Sequence, residues 1–176
     1  ERRLKECTKL GWTTIPCQEV DDNTDLKKFI IINLSENLER KDITPIDVGR
    51  QVKMLMHDFD MTIGEVAASI SQPVSKLKNS LAVYRGVPSK MKDKIAFVAS
   101  GKKQSGSISV LVAKKVLDMK RRFNLNPIQA DGIMQAAHRK DLSGANMDVI
   151  AGLMGQGLTT SQAIKESDNY VISRVD

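Results

Sequence analysis

Two runs of apolar residues at helical spacing lie between Met61 and Val83, separated by a very short polar segment. The first run comprises Ile63, Val66, Ala67 and Ile70, and the second comprises Val74, Leu77 and Leu81. Each run repeats at intervals of three and four residues, which is the pattern of one buried helical face. The stretch therefore predicts two consecutive short helices that pack against a common core.

Both predicted helices have defined starts. Thr62 and Glu65 form a capping box ahead of the first helix, and Pro73 suits the first turn of the second because its φ angle is fixed. Only Ser71 and Gln72 separate the helices, a spacing typical of a DNA-binding helix-turn-helix. An ordinary two-helix hairpin with a solvated polar face is the alternative. Since Ser71 occupies a turn position that often holds glycine, either its φ is positive and carries modest strain, or the turn has a different shape.

The polar side of the second helix is predicted to meet DNA. With Val74, Leu77 and Leu81 directed inward, the start of this helix presents polar side chains where base edges are normally contacted. The predicted DNA contacts in this region are Thr62, Gln72, Ser75, Lys76, Lys78, Asn79 and Arg85.

Basic residues are concentrated downstream of the predicted turn. The segment 71–122 contains thirteen Lys and Arg residues against two acidic ones, so its net charge is +11. The whole chain carries +6, which leaves −5 for the remainder. A basic block of this kind favours contact with phosphates. Lys102 and Lys103 in a Gly/Ser-containing loop, and Lys114 and Lys115 on an exposed helix face, are predicted to contribute, although such a helix would also suit an acidic protein.

The composition excludes several other classes. Hydrophobic residues make up 41% of the chain and aromatic residues only 4%, which favours aliphatic helix packing. Cys7 and Cys17 lack the spacing of a zinc site and the density of a disulfide scaffold. The sequence has no apolar run that could span a membrane and no signal peptide, so we expect a cytoplasmic protein.

Four sequence boxes resemble, in order and spacing, those of the ParB partition-protein family. They are Glu1-Arg2-Arg3, Ile15-Pro16, the segment 36–45 (ENLERKDITP) and the segment 61–79 that continues to Val87-Pro88. The resemblance covers about half of the chain. It implies a truncated α/β lobe over residues 1–42 that begins within a domain, a helix-turn-helix DNA-binding domain over 43–126 and a C-terminal helical extension over 127–176.

The expected fold is therefore mainly α. Within the N-terminal lobe we expect helices at 1–11 and about 24–38, and an edge strand within 13–20. Further helices are expected over about 90–99 and 109–123, from Asn126-Pro127 to about His138, around Met147–Met154, and after a capping box at Thr159.

The resemblance also implies a nucleotide site. In this family the polar boxes bind the phosphates of CTP with Mg²⁺, which places Arg2 and Arg3 near phosphate and Glu36, Asn37 and Arg40 near phosphate and metal, with Glu36 as the metal ligand. DNA binding itself requires no cofactor. Glu36 and Arg40, four residues apart, fit a simple helix-surface ion pair equally well.

By resemblance the chain is expected to bind a centromere-like DNA site, palindromic or repeated, in plasmid or chromosome segregation. The implied partners are double-stranded DNA, a ParA-like ATPase and a second copy of the chain, at the nucleoid or a plasmid and without a membrane. Three alternatives stay open: a plasmid transcriptional repressor of the same fold, a CTP-hydrolysing clamp, and a module that binds acidic proteins. The chain by itself is not expected to be an enzyme, although the resemblance would allow weak CTP hydrolysis.

Overall fold

A computed structural model describes residues 2–16, 25–39, 43–97 and 106–172. Within these ranges the chain is mainly helical, as predicted. The α-helices are α1 (Arg2–Lys9), α2 (Leu26–Glu39), α3 (Pro45–Asp58), α4 (Ile63–Ser69), α5 (Val74–Gly86), α6 (Val110–Arg122), α7 (Pro127–Arg139), α8 (Gly144–Gly155) and α9 (Thr160–Ile172). A 3₁₀ helix (Ser89–Lys94) and two strands, β1 (Ile95–Ala96) and β2 (Ile108–Ser109), lie between α5 and α6.

Side-chain caps start most of the helices after α2. Thr44 Oγ1 accepts a hydrogen bond from the Asp47 amide at 3.1 Å, ahead of Pro45 at the first turn of α3. Asn126 caps α7 in the same way, and Gln129 Oε1 accepts a hydrogen bond from the Asn126 amide. Each cap satisfies a backbone N–H that the helix leaves unpaired. Local sequence therefore fixes where these helices begin.

The first of two hydrophobic cores lies among α2, α3, α4 and α5. Its fully buried side chains include Leu34 of α2, Val52 and Leu55 of α3, Val66 of α4 and Leu77 of α5. Because residues of four helices share this core, α4 and α5 are held at a fixed angle by packing as well as by the turn between them.

The second core lies among α6 to α9 and the two strands, and α5 takes part in both. Leu77 and Leu81 of α5 enter the first core, whereas Val83 enters the second. Phe97 is half-buried and packs against both cores. The C-terminal half of α5 thus joins the two parts of the described structure.

The short parallel sheet corrects one prediction. A helix was expected over about 90–99, but the chain forms the 3₁₀ helix and then β1, which pairs with β2 in the register Ile95 to Ile108. Ile95 and Ile108 are both buried. A two-residue strand is too short to produce a recognisable sequence period, so the tertiary pairing overrides the helical pattern.

The edge strand predicted within 13–20 is not formed by the described part of that segment. Residues 13–16 form no strand, and the rest of that prediction, 17–20, lies outside the described residues. Pro16 removes a backbone donor, which weakens pairing at this point.

Across the described ranges, no helix is long and apolar enough to cross a lipid bilayer.

Candidate nucleic-acid interface

Local hydrogen bonds define both the start and the end of α4. Thr62 Oγ1 accepts from the Glu65 amide at 3.2 Å, and the Glu65 carboxylate accepts from the Thr62 amide at 2.7 Å. Ser71 has a φ of 51°, in the left-handed region. The Gln72 amide donates to the Ala67 carbonyl at 3.0 Å, which closes the end of α4.

The side chains of Thr62 and Glu65 are hydrogen-bonded to each other. The Thr62 hydroxyl donates to the Glu65 carboxylate at 2.8 Å. The Thr62 amide, followed by the Thr62 hydroxyl, holds the pKa of the exposed Glu65 carboxyl below its usual value. The main role that the structure gives Thr62 is therefore to start α4, and a DNA contact by its side chain would add to that role.

The predicted DNA contacts at the start of α5 differ in exposure. Ser75 and Lys78 are exposed as predicted, and Asn79 is half-buried beside them. Val74, which was predicted to pack inward, is 37% exposed. Since Pro73 stands at the N-cap position, Val74 opens the helix before its first buried row, which begins at Leu77.

Lys76 does not point freely outward. Its Nζ donates to Gln72 Oε1 at 2.9 Å and lies 5.2 Å from the centroid of the Phe97 ring. Burial lowers the pKa of the Lys76 ammonium group. The sequence did not indicate Phe97, because its contact with Lys76 depends on the path of the chain between α5 and β1.

Two predicted contacts on α6 are engaged by acidic residues. Lys115, expected to be exposed, donates to Asp148 Oδ2 at 2.5 Å and to the Gly144 carbonyl at 3.0 Å, which ties α6 to the start of α8. Lys114 donates to Asp118 at 2.8 Å on its own helix.

Asp118 binds a second cation on the same helix. Arg121 donates to its other carboxylate oxygen. Burial raises the pKa of Asp118, but the hydrogen bonds from Lys114 and Arg121 outweigh that effect and hold the pKa below its usual value. The charge of this acid thus neutralises part of the basic face of α6.

Three cations of the basic block have neither an acidic nor an aromatic partner among the described residues: Lys78, Arg85 and Lys120. Arg85 and Lys120 line a groove of about 500 Å³ between the C-terminal ends of α5 and α6, with Leu117 in its wall. Lys120 was not among the predicted contacts, although its place in the basic last turn of α6 is visible in the sequence.

Lys102, Lys103 and Arg40 lie outside the described residues, as do the side chains of Arg2 and Arg3.

Two residues of the predicted nucleotide site, Glu36 and Asn37, lie among the described residues. Glu36 is exposed on α2, and Asn37 donates its amide to Asn33. Within the described ranges no three His, Cys, Asp or Glu side chains come together as metal ligands.

Comparison with known proteins identifies relatives of two kinds. A nucleoid occlusion protein from Geobacillus thermodenitrificans is 32% identical over 85 residues, which cover 48% of this chain and 30% of that relative. A probable chromosome-partitioning protein ParB from Rickettsia prowazekii is 24% identical over 142 residues, covering 80% of this chain and 49% of the relative. A ParB protein from Xylella fastidiosa is 28% identical over 83 residues, 46% of this chain and 26% of the relative.

The chain spans half or less of the length of these relatives. No family model matches it, and no solved structure matches it significantly. The names of these relatives agree with the protein family that the four sequence boxes resemble. Over about half of its length, the chain is thus similar to the ParB chromosome-partitioning proteins and the nucleoid occlusion proteins.

Proposed function

We propose that this chain binds double-stranded DNA at a specific, centromere-like site in a ParB-like segregation system. The α4–α5 pair acts as the helix-turn-helix, with α5 in the major groove. The observation that carries the proposal is the start of α5, where Ser75 and Lys78 are exposed directly after a tight turn fixed by Ser71. The printed names of the relatives, which refer to chromosome partitioning and nucleoid occlusion, support the same role.

The unpaired cations support contact with phosphates. Lys78 lies near the start of α5, Arg85 near its end, and Lys120 in the groove beside Arg85. Because none of the three has a partner to give up within the described structure, each can bind a phosphate without breaking an existing ion pair. Lys114 and Lys115 would have to leave Asp118 and Asp148 to do the same.

The wider role is proposed by similarity alone. A ParA-like ATPase, a second copy of the chain and a location at the nucleoid or a plasmid belong to this proposal. CTP with Mg²⁺ in the full-length protein belongs to it as well, with Arg2, Arg3, Glu36, Asn37 and Arg40 as the proposed site.

Selection from a random pool of DNA duplexes tests the proposal. We expect the chain to enrich one consensus sequence and to bind it at least tenfold more tightly than a scrambled duplex of equal length. Lys78→Ala should weaken binding to both duplexes, whereas Lys53→Ala, an exposed lysine on α3, serves as the control. Enrichment of no sequence would contradict the proposed function.

A further inference from the structure

One type of turn recurs between consecutive helices of the described chain. At five junctions the preceding helix is followed by a residue with positive φ: Asp60 (50°), Ser71 (51°), Asn124 (47°), Asp141 (53°) and Gly157 (96°). In each turn two residues separate this position from the first residue of the next helix. The turns are therefore comparable position by position.

The residue that follows the positive-φ position is apolar in four of these five turns. Met61, Leu125 and Leu142 are buried in this position, and Leu158 is partly buried against the second core. An apolar side chain here packs back on the helix that is ending, and it commonly accompanies this way of closing a helix.

The α4–α5 turn breaks this rule. Gln72 occupies the same position, and its amide N–H makes the same backbone bond as the amides of Leu125 and Leu142, at 3.0 Å against 3.0 and 3.1 Å. Its side chain is polar, however, and stays partly exposed. The backbone thus gives no reason for a glutamine here. A local rule broken without a structural gain is a mark of a functional position.

The contacts of Gln72 indicate what it does. Its Oε1 accepts from Lys76 Nζ at 2.9 Å, and the Phe97 ring lies 5.2 Å from the same nitrogen. A cation held between an amide oxygen and an aromatic face has little freedom, which reduces the entropy cost of a later contact. The Gln72 amide nitrogen and the remaining ammonium protons are left as donors.

We propose that Gln72 and Lys76, positioned by Phe97, form one recognition element that selects a guanine at the start of α5. The inference rests on the DNA-binding function proposed above. Guanine presents two acceptors in the major groove, N7 and O6, and a set of donors matches that pattern better than the mixed edge of adenine. Gln72 and Lys76 would contact the base, whereas Phe97 acts only as a positioning residue.

Gln72→Leu tests the element directly, because it restores the residue type found in the α6–α7 and α7–α8 turns. We expect its resistance to urea to be equal to or higher than that of the unmodified chain. Its preference for the consensus duplex over one with the contacted guanine replaced should fall about tenfold. Leu142→Gln makes the reverse exchange in the α7–α8 turn, so it should lower stability and leave the preference unchanged.

Phe97 is tested with two variants that keep its packing against both cores. Phe97→Tyr retains the aromatic face and should keep the preference for guanine. Phe97→Leu removes that face and should reduce the preference several-fold, with little change in binding to scrambled DNA.

The outcomes separate this inference from the function on which it rests. If the unmodified chain selects a consensus and Gln72→Leu reads it equally well, the recognition element is overturned and DNA binding stands. If Gln72→Leu loses the preference and Phe97→Leu keeps it, the positioning role of Phe97 is overturned. If the unmodified chain selects no sequence, the proposed function and the recognition element both fail.

Discussion

Gly49 of α3 lies so close to Ser80 of α5 that a Cβ atom on Gly49 would come within 2.3 Å of the Ser80 carbonyl oxygen. The same Cβ would lie 2.6 Å from the Cβ of Tyr84. Two helix backbones meet here, so no flexible side chain can move aside. This contact sets the distance between α3 and the helix proposed to read DNA.

Gly49→Ala should therefore destabilise the chain strongly. Backbone atoms would have to separate, and we expect a loss of about 2–3 kcal/mol in the free energy of unfolding, measured by urea denaturation. Gly132→Ala is the control, because nothing lies within 4 Å of a Cβ at that exposed helical position. It should gain up to about 1 kcal/mol. Equal stability of Gly49→Ala and the unmodified chain would refute the close approach.

Ser80→Ala should raise stability. Ser80 is fully buried, and its Oγ has no hydrogen-bond partner in the described structure. Removing a buried polar group without a partner is expected to gain about 1 kcal/mol in thermal or urea unfolding. Ser167 provides the matched case, since it is equally buried but donates to the Ile164 carbonyl at 2.8 Å. Ser167→Ala should lose stability, and a loss in both variants would show that Ser80 has a partner after all.

Replacing Lys115 should mainly lower stability, whereas replacing Lys78 should mainly weaken DNA binding. Lys115→Ala breaks the contacts to Asp148 and Gly144 and should cost up to about 1 kcal/mol of stability, with little effect on duplex binding. Lys78→Ala removes an exposed cation and should leave stability within about 0.5 kcal/mol while weakening duplex binding. Urea denaturation and fluorescence anisotropy measure the two effects. If Lys115→Ala weakens DNA binding without changing stability, Lys115 contacts DNA and its assignment to a purely structural ion pair is wrong.

Lowering the pH should destabilise the start of α4, because the Glu65 carboxylate becomes protonated. The pKa of this carboxyl is lowered in the folded chain, so its contribution to stability is complete above its ordinary pKa and is lost as pH falls through the lowered value. Glu65→Gln keeps a capping side chain that does not titrate. Between about pH 6 and about pH 3, its melting temperature should therefore fall less than that of the unmodified chain. Parallel melting curves for the two proteins would mean that Glu65 does not stabilise α4 by its charge.

The sequence predicts those features that depend on neighbouring residues. The capping box of Thr62 and Glu65, the strained turn position at Ser71 and the start of α7 at Asn126 all rest on interactions within three or four positions. The two caps were confirmed, because the local hydrogen bonds that the sequence suggests are the ones that form. Ser71 has a positive φ, which is the condition under which strain was expected at that position. The mainly helical class follows from the same kind of information.

Contacts between distant residues could not be predicted in this way. Lys115 is paired with Asp148, 33 positions away, so a lysine assigned to solvent from its helix face instead joins two helices. Phe97, the residue after β1, contacts Lys76 although 21 positions separate them in the sequence. The sequence shows that the region of the proposed interface is basic, but tertiary ion pairs determine which of its cations are available.

Salt dependence of binding to the selected duplex tests the proposed DNA interface most directly. If Lys78, Arg85 and Lys120 each bind a DNA phosphate, raising the salt concentration from about 50 mM to about 200 mM should weaken duplex binding roughly 40-fold. The selected duplex should remain tighter than a scrambled one at both concentrations, because base contacts depend less on salt. Binding that does not change with salt, or that never distinguishes the two duplexes, would contradict a sequence-specific DNA interface on α5.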